Sequence, residues 1–302
     1  MSFPRRTVEL AGGQLVDVLE FGDPVGVPAL YLHGTPSSGS EAHWLHAPAL
    51  RHGVRVVSLD RPGYLATSPV AVGFDVVART CTELASILGL DRFAVMGFSG
   101  GAGYALATAH AAGAATPVVH VGGGMASIAG EASGDLTRGR RAILGFAARA
   151  PAVASRLVQL QGRQVRRQLE QKLQLPILAA LELFEGASKG AQYAAAEAYV
   201  RASSSEELRW VIEDYCRGSR ATPAILGDIT AISRPWPFAL GELDTPVELW
   251  HGTADSAAPL AYARRLAREL PNATLHTLDG EGHFVFLSHG EEACASIRAA
   301  LA

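Results

Sequence analysis

Apolar residues in this chain fall into short runs that alternate with stretches of helical spacing. Residues 28–33 (PALYLH), 54–60 (VRVVSLD), 92–98 (RFAVMGF) and 117–123 (PVVHVGG) are rich in valine and leucine. Each closes on glycine or a polar loop, the pattern of strands buried on both faces. Helical spacing lies between them at about 40–52, 74–89 and 100–113. In the second, Val76, Val77, Thr80, Leu84, Ile87 and Leu88 recur every three or four positions, and Gly89 suits the C-terminal cap. Strand–helix alternation implies a mostly parallel sheet covered on both faces. Segments 7–10 and 14–21 read as an antiparallel edge.

The alternation stops near residue 125. From there to about 235 the chain reads as helical, with amphipathic stretches DLTRGRRAILGFAARA, SRLVQLQGRQVRRQLEQKLQL and SSSEELRWVIEDYC. In the last of these Ser205 is placed to cap and Glu207 falls in the first turn. Alternation resumes with 246–252 (PVELWHG), a helix near 258–270, 273–278 (ATLHTL) and a final helix near 290–301. The simplest organisation is one α/β core, residues 1–125 and 236–302, with a helical insertion, 126–235, over the C-terminal ends of the strands.

Composition narrows the field. Hydrophobic residues make up 48% of 302, enough for a large core, and the net charge of -3 gives no general attraction to nucleic acid. No Asp, Glu, Lys or Arg occurs from Phe93 to Gly130, yet the glycines and Pro117 in that run fit strand, helix and strand better than a membrane span. Cys81, Cys216 and Cys294 are odd in number and far apart, which speaks against a disulfide framework or zinc site and for a reducing, cytoplasmic setting. The first ten residues lack the apolar run of a signal peptide. Within the insertion, Arg138 to Lys172 is basic and Glu182 to Asp228 acidic, which reads as two solvated faces that pair, or as a basic surface steering an anionic substrate.

One constellation carries chemistry. Gly97-Phe98-Ser99-Gly100-Gly101 follows a buried strand and opens a helical stretch, the setting in which G-x-S-x-G exposes a serine on a sharp turn. Glycines two residues either side relieve the crowding such a turn creates. A serine hydroxyl needs a base, and the base an orienting group. Asp255, in HGTAD, and His283, in GEGHF, each follow a later strand, so both belong at the same sheet edge as Ser99. His110, His120, His251 and His289 read as structural. Asp244 precedes a strand and belongs at the opposite edge. The loop HGTPSSG (33–39) offers the Thr35 N–H, which with the Gly100 N–H would hold a developing oxyanion, and His33 reads as a brace for that loop. Phe98, Tyr64, Phe146, Phe184 and Trp210, with Leu181, Tyr193 and Tyr199, are candidate substrate contacts.

HGTP, DRPGY, GFSGG, HGTAD and GEGHF occur in the order found in α/β-hydrolase-fold serine hydrolases, and the chain resembles them over about residues 7–125 and 240–302. Within that fold the HGTP loop and G-x-S-G-G elbow look most like the branch of proline iminopeptidases and small-molecule esterases. The resemblance implies an α/β-hydrolase fold with a mostly parallel eight-stranded sheet and a helical cap. It also implies a small-molecule substrate, no metal and no organic cofactor, and it leaves a homodimer open. Gly100 stands where proline iminopeptidases carry tryptophan, which argues against peptidase activity. Ser99 argues against haloalkane dehalogenases and epoxide hydrolases, whose nucleophile is aspartate. Leu65 and Thr67 replace a glycine and a serine of the usual D-R-P-G-Y-G-x-S run, so that loop is expected to differ in shape. The expected reaction is hydrolysis of a small carboxylic ester. C–C or thioester hydrolysis or cofactor-free perhydrolysis by the same triad is the alternative, and a ligand receptor of the same fold a third reading.

Overall fold

The computed structural model describes residues 3–127, 156 and 191–302. Eight strands of the described residues form one sheet: β1 (Arg6–Glu9), β2 (Leu15–Gly22), β3 (Val27–Leu32), β4 (Val54–Leu59), β5 (Ala94–Phe98), β6 (Val119–Gly122), β7 (Val247–Gly252) and β8 (Ala273–Leu278). Their spatial order is β1-β2-β4-β3-β5-β6-β7-β8. β2 runs antiparallel to β1 and β4, and every other neighbouring pair is parallel. The antiparallel edge lies where segments 7–10 and 14–21 are expected to form it. Leu32 pairs with Gly97, and Gly122 with Trp250, so the loops after β3, β5, β6 and β7 leave from one edge.

Side chains along each central strand alternate between two cores, as the two-residue strand period requires. Leu30, Leu32, Val57, Leu59 and Val95 pack on one face. That face is covered by α2 (Phe74–Ile87), α3 (Ala102–Ala112) and α7 (Leu260–Glu269). Ala29, Tyr31, Val54, Val56, Ala94 and Met96 pack on the other, under α1 (His46–His52) and α8 (Val285–Ala300). The chargeless run after Phe93 is therefore β5, α3 and β6, and no helix of the described residues is long and apolar enough to cross a membrane.

The helices differ from their sequence expectations chiefly at the ends. The stretch expected as one helix at 40–52 is a 3-10 turn, Gly39–Leu45, followed by α1. α2 ends at Ile87 with Leu88 as its C-cap, and Gly89 takes φ +68°. Its N–H donates to the Ser86 carbonyl, and the Leu90 N–H donates to that of Ala85, a Schellman ending. α8 begins five residues before the expected 290, with a break in helical backbone at His289, because HFVFL carries no helical period.

Between β6 and β7 lie α4 (Ala191–Ala202), α5 (Ser205–Gly218) and α6 (Thr222–Ile232). The cap of α5 is Ser204, one residue before the expected Ser205. Only Ser204 stands three residues before Glu207, and the two close a reciprocal capping box. The expectation that the acidic half of this segment is a solvated face fails at two residues. Asp214 and Asp228 are fully buried and pair with arginines, the partly buried Arg5 and the fully buried Arg61. Phe146, Leu181, Phe184 and most of the basic half lie outside the described residues.

Candidate active site

Ser99 sits where β5 turns into a 3-10 turn, Ser99–Gly101, that leads into α3. Its φ is +52°, a left-handed value that is uncommon for a side chain with a Cβ. The neighbouring glycines make that turn sterically possible. A Cβ on Gly97 would come 2.7 Å from Ala105 Cβ, and one on Gly101 2.7 Å from the His33 carbonyl and closer still to that of Leu32. The serine is 8% exposed.

Asp255 and His283 meet at the same edge, from the loops after β7 and β8. The His283 Nδ1 lies 2.8 Å from Asp255 Oδ2. Asp255 Oδ1 accepts the N–H groups of Ala257 and Ala258, each at 2.8 Å. Burial pushes the Asp255 carboxyl up, but the hydrogen bond and charge of His283 and the Ala258 N–H outweigh it and hold the group below its ordinary value. Asp255 thus stays ionised beside the ring. His251 Nε2 lies 3.4 Å from the same Oδ2 and 2.9 Å from the Ala258 carbonyl, and burial pushes His251 below its ordinary value. It is a neutral neighbour of the carboxylate.

The loop after β6 ties the two halves together. The Met125 N–H donates to the Ser99 carbonyl, while a Cβ on Gly123 would fall 2.9 Å from His283 Nδ1. Phe98, expected to border substrate, is 2% exposed and supports the site from beneath. Its ring lies 4.9 Å from that of His283, 5.1 Å from Trp44 and 5.7 Å from Phe284.

The HGTP loop comes to Gly100 from β3. A Cβ on Gly100 would sit 2.6 Å from Thr35 Oγ1 and 3.2 Å from Thr35 N, so the Thr35 main chain passes directly over the residue after the serine. The Gly34 N–H is occupied by Glu41 Oε1 at 2.9 Å, which also accepts the Tyr31 hydroxyl at 2.8 Å. His33 is fully buried, with Nδ1 2.8 Å from the Gly34 carbonyl and Nε2 accepting the Arg61 N–H at 3.2 Å. Burial and the Arg61 charge hold it well below its ordinary value. A neutral ring bonded at both nitrogens braces the loop.

Two further residues expected at the substrate border lie elsewhere. Tyr64 is fully buried, its hydroxyl donating to Asp228 and its ring edge on His33. Trp210 packs on Phe3, Phe21 and His43 beyond β2, because the apolar stripe of α5 faces that core. Tyr199 Oη lies 2.7 Å from His43 Nδ1. In the loop after β4, Leu65 adopts φ +47°, the region glycine favours, and the Thr67 hydroxyl bridges the Asp60 carbonyl and the Asp17 N–H.

Sequence reading missed the groups that hold these loops in place. Glu281 is 6% exposed and ties the His283 loop to α8 through Ser288 Oγ at 2.6 Å and His289 Nε2 at 2.8 Å. Arg61, quoted only as part of DRPGY, is fully buried and donates to the His33 carbonyl, the Gly34 carbonyl, Thr35 Oγ1 and Asp228. Among the described residues no group of three or more histidine, cysteine or acidic side chains is arranged to hold a metal ion.

A family model, described as the alpha/beta hydrolase family, matches residues 29–297. The chain belongs to this family. Solved structures share its fold along nearly the whole length. An alpha/beta hydrolase fold protein from Nakamurella multipartita is 22% identical, with a TM-score of 0.65, covering 98% of this chain and 99% of that one. An esterase from Exiguobacterium antarcticum is 17% identical, with a TM-score of 0.63 and 98% of each chain covered. A pimeloyl-[acyl-carrier protein] methyl ester esterase from Aromatoleum aromaticum is 48% identical over 60 residues, 20% of this chain and 24% of that protein. The match thus spans about a quarter of that relative.

Proposed function

We propose that this hydrolase cleaves a small carboxylic ester through an acyl-enzyme. The observation that carries the reading is the 2.8 Å Asp255–His283 pair at the sheet edge where Ser99 is held at positive φ. Ser99 Oγ attacks the ester carbonyl carbon and passes its proton to His283 Nε2. Asp255 fixes the tautomer that leaves Nε2 free to accept it. The Thr35 and Gly100 N–H groups hold the negative oxygen of the tetrahedral intermediate. Collapse breaks the C–O bond, and the alcohol leaves with the proton from Nε2. Water then attacks the acyl-enzyme by the same route in reverse, releasing the acid and restoring Ser99. No step calls for a metal or cofactor. Residues 126–235 serve as a cap that shapes the acyl and alcohol pockets, in a cytoplasmic enzyme. The ester preference draws support from the esterases among its relatives.

The test is Ser99→Ala on p-nitrophenyl acetate, with fluorophosphonate labelling of the parent protein. Turnover is expected to fall by about 10⁴ or more, with the label on Ser99. A variant that keeps near-parental turnover overturns the assignment. Thioesters and vinylogous diketones assayed alongside separate ester cleavage from thioester and C–C hydrolysis.

A further inference from the structure

We propose that Asp228 on α6 is a positioning residue for the oxyanion loop, acting through the Thr35 hydroxyl. The inference rests on the hydrolase reading above and adds to it a dependence of catalysis on how the inserted helices are seated. Asp228 is fully buried and accepts four bonds from three different parts of the core. Oδ2 receives Arg61 Nη2 at 2.6 Å, Tyr64 Oη at 2.6 Å and Thr35 Oγ1 at 2.8 Å, and Oδ1 receives Tyr104 Oη at 2.7 Å. The ion pair with Arg61 alone would settle the charge. Hydroxyl groups converging from the HGTP loop, the loop after β4 and α3 make the carboxylate a hub.

The geometry at Thr35 gives the hub its consequence. Its hydroxyl donates to Asp228 and accepts from Arg61 Nη2 at 2.7 Å, so the side chain is held in one rotamer from both sides. The same arginine grips the His33 and Gly34 carbonyls, which fixes the peptide planes on the approach to Thr35. Thr35 N faces Gly100, and an oxyanion donor works only if aimed at the position the charged oxygen will occupy. A misplacement on the order of 1 Å costs about 10²-fold in rate. Asp228 is 193 residues from Thr35 along the chain and belongs to the segment between β6 and β7. The donor is therefore aimed only when α6 is docked.

Thr35→Val tests this most cleanly. It removes both hydroxyl bonds, keeps the backbone N–H and the volume, and leaves the Arg61–Asp228 pair in place. The expected result is a kcat lower by about 10- to 100-fold, with KM within about threefold. A trifluoromethyl ketone that mimics the tetrahedral intermediate should lose affinity by the same factor. Asp228→Asn should act on kcat in the same sense, and the double variant should lose no more than the worse single change. Ile297→Ala, in α8, serves as a variant of lowered stability with kcat intact. If Thr35→Val loses only Tm, or if Ile297→Ala loses as much kcat, the proposal falls. Ser99→Ala measured in parallel separates the two readings. An inactive Ser99→Ala beside a fully active Thr35→Val rejects the positioning role alone, whereas an active Ser99→Ala rejects the serine mechanism.

Discussion

Asp255→Asn is the sharpest probe of the proposed mechanism, because the structure dictates which way the new amide must face. Asp255 Oδ1 receives two backbone N–H groups at 2.8 Å. An amide nitrogen placed there would oppose two donors and forfeit both bonds, at about 1–3 kcal/mol for each buried group left unpaired. The asparagine oxygen therefore keeps that position, and its NH₂ takes the place of Oδ2, 2.8 Å from His283 Nδ1. A donor at that point makes Nδ1 the acceptor and moves the imidazole proton to Nε2, so the nitrogen proposed to accept the Ser99 proton can no longer do so. In the analogous serine-protease triad this change costs about 10⁴ in kcat, or about 5.5 kcal/mol of transition-state stabilisation. Global stability should fall far less, since the fold keeps both backbone bonds. The assay is kcat/KM on p-nitrophenyl acetate with Tm in parallel, and proton NMR to follow the imidazole resonances. Activity within tenfold of the parent at unchanged Tm would refute the tautomer argument and, with it, Asp255 as the orienting group.

Two further outcomes follow from burial. Gly101→Ala puts a methyl group against the Leu32 and His33 carbonyls, so Tm should drop by several degrees for a cost of about 1–3 kcal/mol, and an unchanged melting curve would contradict the packing. His33, His43 and His120 are buried, with His43 held at about 4 and His120 at about 3 chiefly by burial. Their folded values lie below the unfolded one, so the unfolded chain takes up protons first as pH falls. Stability is complete above about pH 6.5 and is lost below it by about 1.4 kcal/mol per pH unit for each histidine, down to about pH 4 for His43. Urea midpoints that stay level from pH 7.5 to 5 would contradict this.

The parts of the fold legible in the sequence are those whose cause is local. The unbroken apolar runs of β3, β4 and β5 follow from strands buried on both faces, and a serine between glycines after such a strand announces the turn at Ser99. Asp255 and His283 were legible because each directly follows a strand of known direction. Asp228 was not, since nothing near it in sequence distinguishes a buried hub from a solvated acid on α6, and its partners lie more than 120 residues away. Trp210 misled for a related reason. Helical spacing shows that a side chain is inward but not which interior it enters, and α5 turns it towards Phe3 and Phe21.

Leu65 gives the floor of this arrangement an entropic character. A leucine at φ +47° costs about 1–2 kcal/mol of local strain that glycine would avoid. Glycine, however, would enlarge the number of conformers the unfolded loop must abandon, while leucine keeps that number small. The residues flanking it, Gly63 against Ala224 and Tyr64 against Asp228, are the ones on which α6 rests. The loop on which α6 rests therefore gives up less freedom on folding than it would with glycine at position 65, and the strain at Leu65 is the offsetting cost.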